Sequence, residues 1–221
     1  MNGVIGDILP MAMGVAITPV SVLATLLLLL SQEGRRRSLP FALGWLLGIA
    51  IIMTVFVVAT LVLKDVLTGD PKPVLGSIQL VLGSLLLIRA VRLWAIRRSQ
   101  DADWPKWMST IDEAGAGAAA LRGLHQVTAN TKNLLLTASA AAVIVDATLG
   151  VGPSATVIGV FTAIAGVSVL VPLVAGLAAS DRARPALAAA RVWIVRQYAG
   201  VMTVVLLLMG SVVLGKGIGH F

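Results

Sequence analysis

The chain reads as an all-α, polytopic membrane protein of six transmembrane helices. Three observations predict this. Of its 221 residues, 58% are hydrophobic and only 12% are charged, against about 25% charged in a soluble domain. The apolar residues gather into runs near the roughly 17–25 residues that a helix needs to cross a bilayer. Runs such as Leu26 to Leu30 do not alternate as the strands of a membrane β-barrel do.

The spans follow in order. Span 1 covers about Val4 to Leu30, long enough to tilt or bend. Met1 to Met11 carries Asp7 but no Lys or Arg, so the positive region of a cleavable signal peptide is missing and the run is expected to stay as a span. Span 2 covers about Phe41 to Leu63, with Gly44 and Gly48 beside Trp45. Small residues at that spacing predict close helix packing, and the face allows a homodimer. Span 3 runs about Val74 to Ile96 and span 4 about Leu121 to Val145. Span 5, about Ser154 to Ala178, is thinned by Gly159 and Gly166, and Pro172 is expected to break it. Span 6 covers about Val192 to Leu214.

Lys and Arg placement sets the orientation. Of the 17, thirteen fall on one side: Arg35 to Arg37, six between Arg89 and Arg122, and four between Arg182 and Arg196. Lys64, Lys72 and Lys216 fall on the other, and Lys132 lies between. Both termini are therefore expected outside the cytoplasm. The net charge of +7 then sits mostly on the inner face, where it sets topology and can meet anionic lipid headgroups.

Three spans precede the longest connection and three follow it. An odd number per half predicts two inverted repeats, residues 1–98 and 121–221, joined by a cytoplasmic linker at 99–120. Trp104, Pro105, Lys106 and Trp107 suggest that part of the linker lies at the headgroup level, and Gly115 to Ala118 suggests a flexible joint. In inverted-repeat transporters the site lies at mid-membrane, where corresponding helices are interrupted.

Two stretches fit that position. Span 1 contains Thr18-Pro19-Val20-Ser21, and span 4 contains Asn130-Thr131-Lys132-Asn133. Pro19 takes a donor from its helix and crowds the preceding turn. Asn130 and Asn133 can satisfy backbone groups freed by a break in span 4. A lysine at bilayer centre costs about 2.5–3.5 kcal/mol on insertion scales, so it must face protein or trapped water. Lys132, Asn130, Asn133 and Thr131 are thus expected to form one wall of a substrate site, with Thr18, Pro19 and Ser21 opposite. No Ser/His/Asp set, metal-ligand cluster or phosphate loop is present, so neither enzyme nor cofactor or metal protein is expected. The absence of cysteine excludes disulfides and thiol redox chemistry.

The run Pro105-Lys106-Trp107-Met108 to Ile111-Asp112, followed by Asn130-x-Lys132-Asn133-Leu134-Leu135, resembles the GAP family of actinobacterial membrane proteins. That glycolipid-addressing, Sap-like family falls in the LysE-type exporter superfamily. Thr18-Pro19 is similar to the superfamily's proline-containing first-helix motif. One departure stands out: Thr131 occupies the place where the family usually has proline. The resemblance implies an exporter in the inner (plasma) membrane, moving a surface lipid or glycolipid, or a small amino-acid-like metabolite. The competing expectation is a non-transporting accessory of a lipid-export assembly. Expected partners are membrane lipids and the substrate, with no nucleic acid.

Overall fold

The computed structural model of the protein describes residues 2–30, 34–66, 72–96, 115–178 and 184–220. Those residues form helices and turns, with no strand among them. The helices are α1 (Asn2–Ala16), α2 (Pro19–Leu30), α3 (Gly34–Val66), α4 (Lys72–Ile96), α5 (Ala116–Thr128), α6 (Thr131–Asp146), α7 (Val151–Ala165), α8 (Val167–Ala178) and α9 (Arg184–Ile218). Three of them, α3, α4 and α9, are long and apolar enough to cross a membrane. The number rises to five if the pairs α1–α2, bent by 51°, and α7–α8, bent by 54°, each count as one span.

Helix α3 shows how such a chain partitions its apolar residues. Leu39, Leu43, Leu47, Ile51, Val55, Val58 and Val62 are exposed along one stripe, while Phe41, Trp45, Ile49 and Met53 are buried on another. Steps of four and three keep each set on one face. Both faces being apolar, one suits protein and the other lipid, and the helix belongs in a membrane.

Small residues set the closest crossings. An added Cβ at Gly44 would lie 1.9 Å from the carbonyl oxygen of Ala120, and one at Gly48 would lie 3.3 Å from Leu124 Cα. A Cβ added at Gly123 would in turn lie 2.1 Å from the Phe41 carbonyl oxygen. The Gly44/Gly48 face is therefore occupied by α5 of the same chain. Further along, Lys64 Nζ donates to the Val145 carbonyl at 3.5 Å. The path α5–α6 thus runs parallel to α3 over most of its length. Helices α4 and α9 lie antiparallel, with Gly83 against Gly210 and Leu214, and Gly217 against Gly76 and Leu80. Helix α6 sits centrally, packed on α1, α3, α4 and α9, and it buries Leu136, Ala140, Ala141 and Ile144.

Two details differ from expectation. The interruption in span 5 falls at Gly166, while Pro172 lies inside α8 without ending it. Gly166 caps α7, and a Cβ there would meet the Leu46 side chain at 2.5 Å. The Ser168 hydroxyl takes up the freed Ala165 carbonyl at 3.3 Å; a Gly/Ser pair is an established kink site. The expected joint at Gly115 to Ala118 is instead the N-cap and first turn of α5, since alanine favours helix and small side chains let α5 approach α3. The expected interfacial segment with Trp104 and Trp107 lies outside the described residues.

Candidate functional site

The first interruption is dictated by Pro19. Proline has no N–H to offer the carbonyl four residues back, so the Val15 carbonyl loses its helical partner. Helix α1 ends at Ala16 and α2 begins on Pro19, the first helical position, where a missing N–H costs nothing. Helix ends leave carbonyls without helical partners, and here each of the last four finds one. Met13 accepts from Ile17 N–H at 2.9 Å and Ala16 from Thr18 N–H at 2.9 Å. Val15 accepts from the Thr18 hydroxyl. Gly14 accepts from the ammonium of Lys132.

The second interruption separates α5 from α6. The Asn130 side chain accepts from the backbone N–H groups of Lys132 at 3.1 Å and Asn133 at 3.4 Å, the geometry of a helix N-cap. Its carbonyl receives the first helical bond from Leu134 N–H at 3.0 Å. Thr131 is the exposed first residue of α6. Side chains lean toward the N-terminus of their helix, so Lys132, one position further on, can reach back over the gap toward α1.

The two gaps meet at that lysine. Besides the Gly14 carbonyl, its Nζ donates to the Ile17 carbonyl at 3.1 Å and to the Thr18 hydroxyl at 2.9 Å. Lys132 is only 2% exposed, yet no acidic group pairs with it among the described residues. An ammonium has three hydrogens, and three oxygens take them. The charge also lies at the C-terminal end of α1, where the helix dipole is negative. Two carbonyls and one hydroxyl, from the last turn of α1 and the gap that follows it, form the kind of donor set that holds Na+ in transporters with discontinuous helices. Here the chain supplies its own cation.

Asn133 completes the contact. Its Oδ1 lies 3.3 Å from Thr18 Oγ1, and its Nδ2 is buried without a partner among the described residues. The Thr18 hydrogen is directed at Val15. Exchanging the amide O and N, which have the same shape, lets Nδ2 donate to Thr18 Oγ1 and removes the orphan donor.

Of the residues expected at the site, Lys132, Asn133 and Thr18 touch one another, Asn130 caps the helix that carries two of them, and Pro19 makes the gap. Ser21 is buried elsewhere: its hydroxyl accepts from Trp45 Nε1 at 3.0 Å, and its carbonyl from the Thr25 hydroxyl at 2.9 Å. Ser21 therefore ties α2 to α3 rather than facing Lys132. The carbonyls of Gly14 and Ile17 were not singled out from sequence. The signal for Gly14 was present in Pro19, because a helix that ends before a proline leaves its last carbonyls without helical partners; Ile17 lies in the gap itself.

As a chemical device, the site holds two broken helices together through one charge. All three ammonium hydrogens are engaged, so an anionic group would have to displace one of the three oxygens to bind Lys132.

No curated protein and no solved structure matches the chain. The family model described as Sap, sulfolipid-1-addressing protein, matches residues 8–219. That match takes in both interruptions and every helix described above except the first six residues of α1, and the chain belongs to the family of the sulfolipid-1-addressing protein Sap.

Proposed function

We propose that the protein is an exporter in the inner (plasma) membrane that moves a surface lipid or glycolipid, or a small amphipathic metabolite, by alternating access. In this reading α1–α2, α3 and α4 form one three-helix repeat, and α5–α6, α7–α8 and α9 form its inverted counterpart. Both termini lie outside the cytoplasm, as the placement of Lys and Arg implies. Spans 1 and 4 occupy corresponding places in the two repeats, and both are interrupted near their middles. Spans 2 and 5 do not correspond so well, since α3 is continuous where α7–α8 is broken. The family description speaks of addressing sulfolipid-1, and we extend it to an amphipathic lipid as cargo here.

The observation that carries the reading is the junction of the two interrupted helices around buried Lys132. Transporters of this kind bind at such junctions, where unwound backbone can line a path. The test is export by reconstituted protein in liposomes holding a labelled amphipathic lipid. Lys132→Ala should insert normally and lose export. Unchanged export by that variant removes Lys132 from the mechanism.

One observation favours a second reading, a non-transporting accessory of a lipid-export assembly. The Lys132 donors are all satisfied within the chain, as in a purely structural tie. Under that reading, wild-type protein in liposomes moves no lipid at all, and Lys132→Ala lowers stability alone.

A further inference from the structure

A second group of polar side chains lies at the end of the bundle opposite Arg36, Arg89 and Arg122. It surrounds a cavity of about 550 Å³ lined by Asp7 of α1, Gln79 of α4, Val143 and Asp146 of α6, and Lys216 and His220 at the end of α9. The counted spacing along α6 is 14 residues from Lys132 to Asp146, or roughly 21 Å at about 1.5 Å per residue. The cavity is therefore separate from the junction described above.

Its chemistry is unfinished in two places. Gln79 is 1% exposed, and neither its amide nitrogen nor its amide oxygen has a hydrogen-bond partner among the described residues. Such orphans are uncommon in native proteins. His220 Nδ1 lies 2.8 Å from the Lys216 carbonyl. The other ring nitrogen, Nε2, faces Asp146 Oδ2 at 3.6 Å, too far for a hydrogen bond, so a group placed between them can bond to both. Lys216, finally, is already paired with Asp7 at 2.6 Å, so its charge does not make the cavity a receptor for anions.

We propose that this cavity is a binding site for a neutral polyhydroxylated ligand, a sugar or glycosyl headgroup. A hydroxyl donates and accepts at once. Adjacent hydroxyls can give a hydrogen to Asp146, bond to His220 Nε2 as donor or acceptor, give another to the Gln79 carbonyl, and accept one from the Gln79 NH₂. An ammonium ligand would serve the acceptors and leave the Gln79 NH₂ orphaned. A phosphate or sulfate would meet two carboxylates already in place. The site does not depend on the transport reading, since binding at one end of the bundle requires no movement of cargo.

The test uses full-length protein in phosphatidylcholine nanodiscs, with saturation transfer from protein methyl groups to ligand protons. The first probe is sucrose in solution, the second is galactosyl diacylglycerol in the nanodisc, and choline is the ammonium comparator. Saturable transfer to either sugar, with Kd for sucrose in about the millimolar range, is the expected result. Transfer to sucrose that galactosyl diacylglycerol does not displace assigns the site to free sugar; transfer to the lipid headgroup, or displacement by it, assigns it to glycolipid. Gln79→Leu and Asp146→Asn should each weaken binding about tenfold or more. Gln79→Leu also removes an unpartnered buried amide, so it should melt no lower than wild type, which separates lost binding from lost folding. The proposal is overturned if neither sugar gives saturable transfer, if choline binds as well as the sugars, or if both variants bind as wild type does.

Discussion

The ammonium of Lys132 lies 3.1 Å from the carbonyl of Ile17, in the gap between α1 and α2. The cation belongs to α6, yet the oxygens it satisfies belong to the other half of the chain. This cross-chain arrangement has consequences that do not depend on any cargo.

Removing the ammonium strands its acceptors. Each buried oxygen left without a donor costs about 1–3 kcal/mol. Lys132→Ala should therefore melt well below wild type in nanodiscs. Because the stranded set resembles a monovalent cation site, its melting point should rise in NaCl relative to choline chloride, while that of wild type should not. Equal melting of the variant in both salts would mean that the cage collapses once the ammonium is gone.

Thr18 serves the junction through three partners, as donor to Val15 and as acceptor from Lys132 and from the Asn133 amide. Thr18→Val keeps the shape and loses all three bonds, for an expected loss of about 1–3 kcal/mol. Thr18→Ser keeps the hydroxyl and should stay close to wild type. The ordering of the two variants in a denaturation series checks the claim.

The α3–α5 crossing leaves no room at Gly44. A Cβ 1.9 Å from a backbone oxygen forces the helices apart, and overpacking of this kind costs about 1–3 kcal/mol. Gly44→Ala should be clearly destabilising. Gly159→Ala, with nothing within 4 Å of the added atom, should be neutral or slightly stabilising. Parallel thermal melts compare them directly.

Asn130→Ala deletes the cap of α6 and should cost about 1 kcal/mol, whereas Asn130→Asp keeps an acceptor and should retain most of the stability. Hydrogen exchange at the amides of Lys132 and Asn133, the two that the cap protects, should quicken in the alanine variant.

Trp45→Phe breaks the 3.0 Å bond to Ser21 and leaves that hydroxyl with no donor from α3. A loss of about 0.5–1.5 kcal/mol is expected. Ser21→Ala should cost a similar amount, and the double variant should cost less than the sum of the two. An additive result would show that the contact carries no energy of its own.

The breaks at Pro19 and Asn130 were legible because each rests on a residue with a local rule. Proline cannot donate, and asparagine caps helices. Thr131 stands where the family usually has proline, yet α6 still begins there, because the first helical position needs no N–H and Asn130 supplies the cap. The break at Gly166 was not legible. A glycine inside an apolar run also serves helix packing, and nothing local shows that Leu46, 120 positions earlier, presses against it. Proline carries the stronger local rule, yet α8 continues through Pro172. The partners of Lys132 were not legible, because main-chain oxygens leave no mark in a sequence. The pairing of Ser21 with Trp45 was hidden for a similar reason, since which way a helix faces after a bend depends on the bend.

The shared ammonium makes the two seams a single joint. Straightening α1–α2 alone would pull its oxygens off the charge, and straightening α5–α6 alone would drag the charge away from them. Either movement strands an unpaired cation in a dry interior, which is a steep penalty. The two halves must therefore yield together or not at all, and anything that wedges into one seam is felt at once in the other.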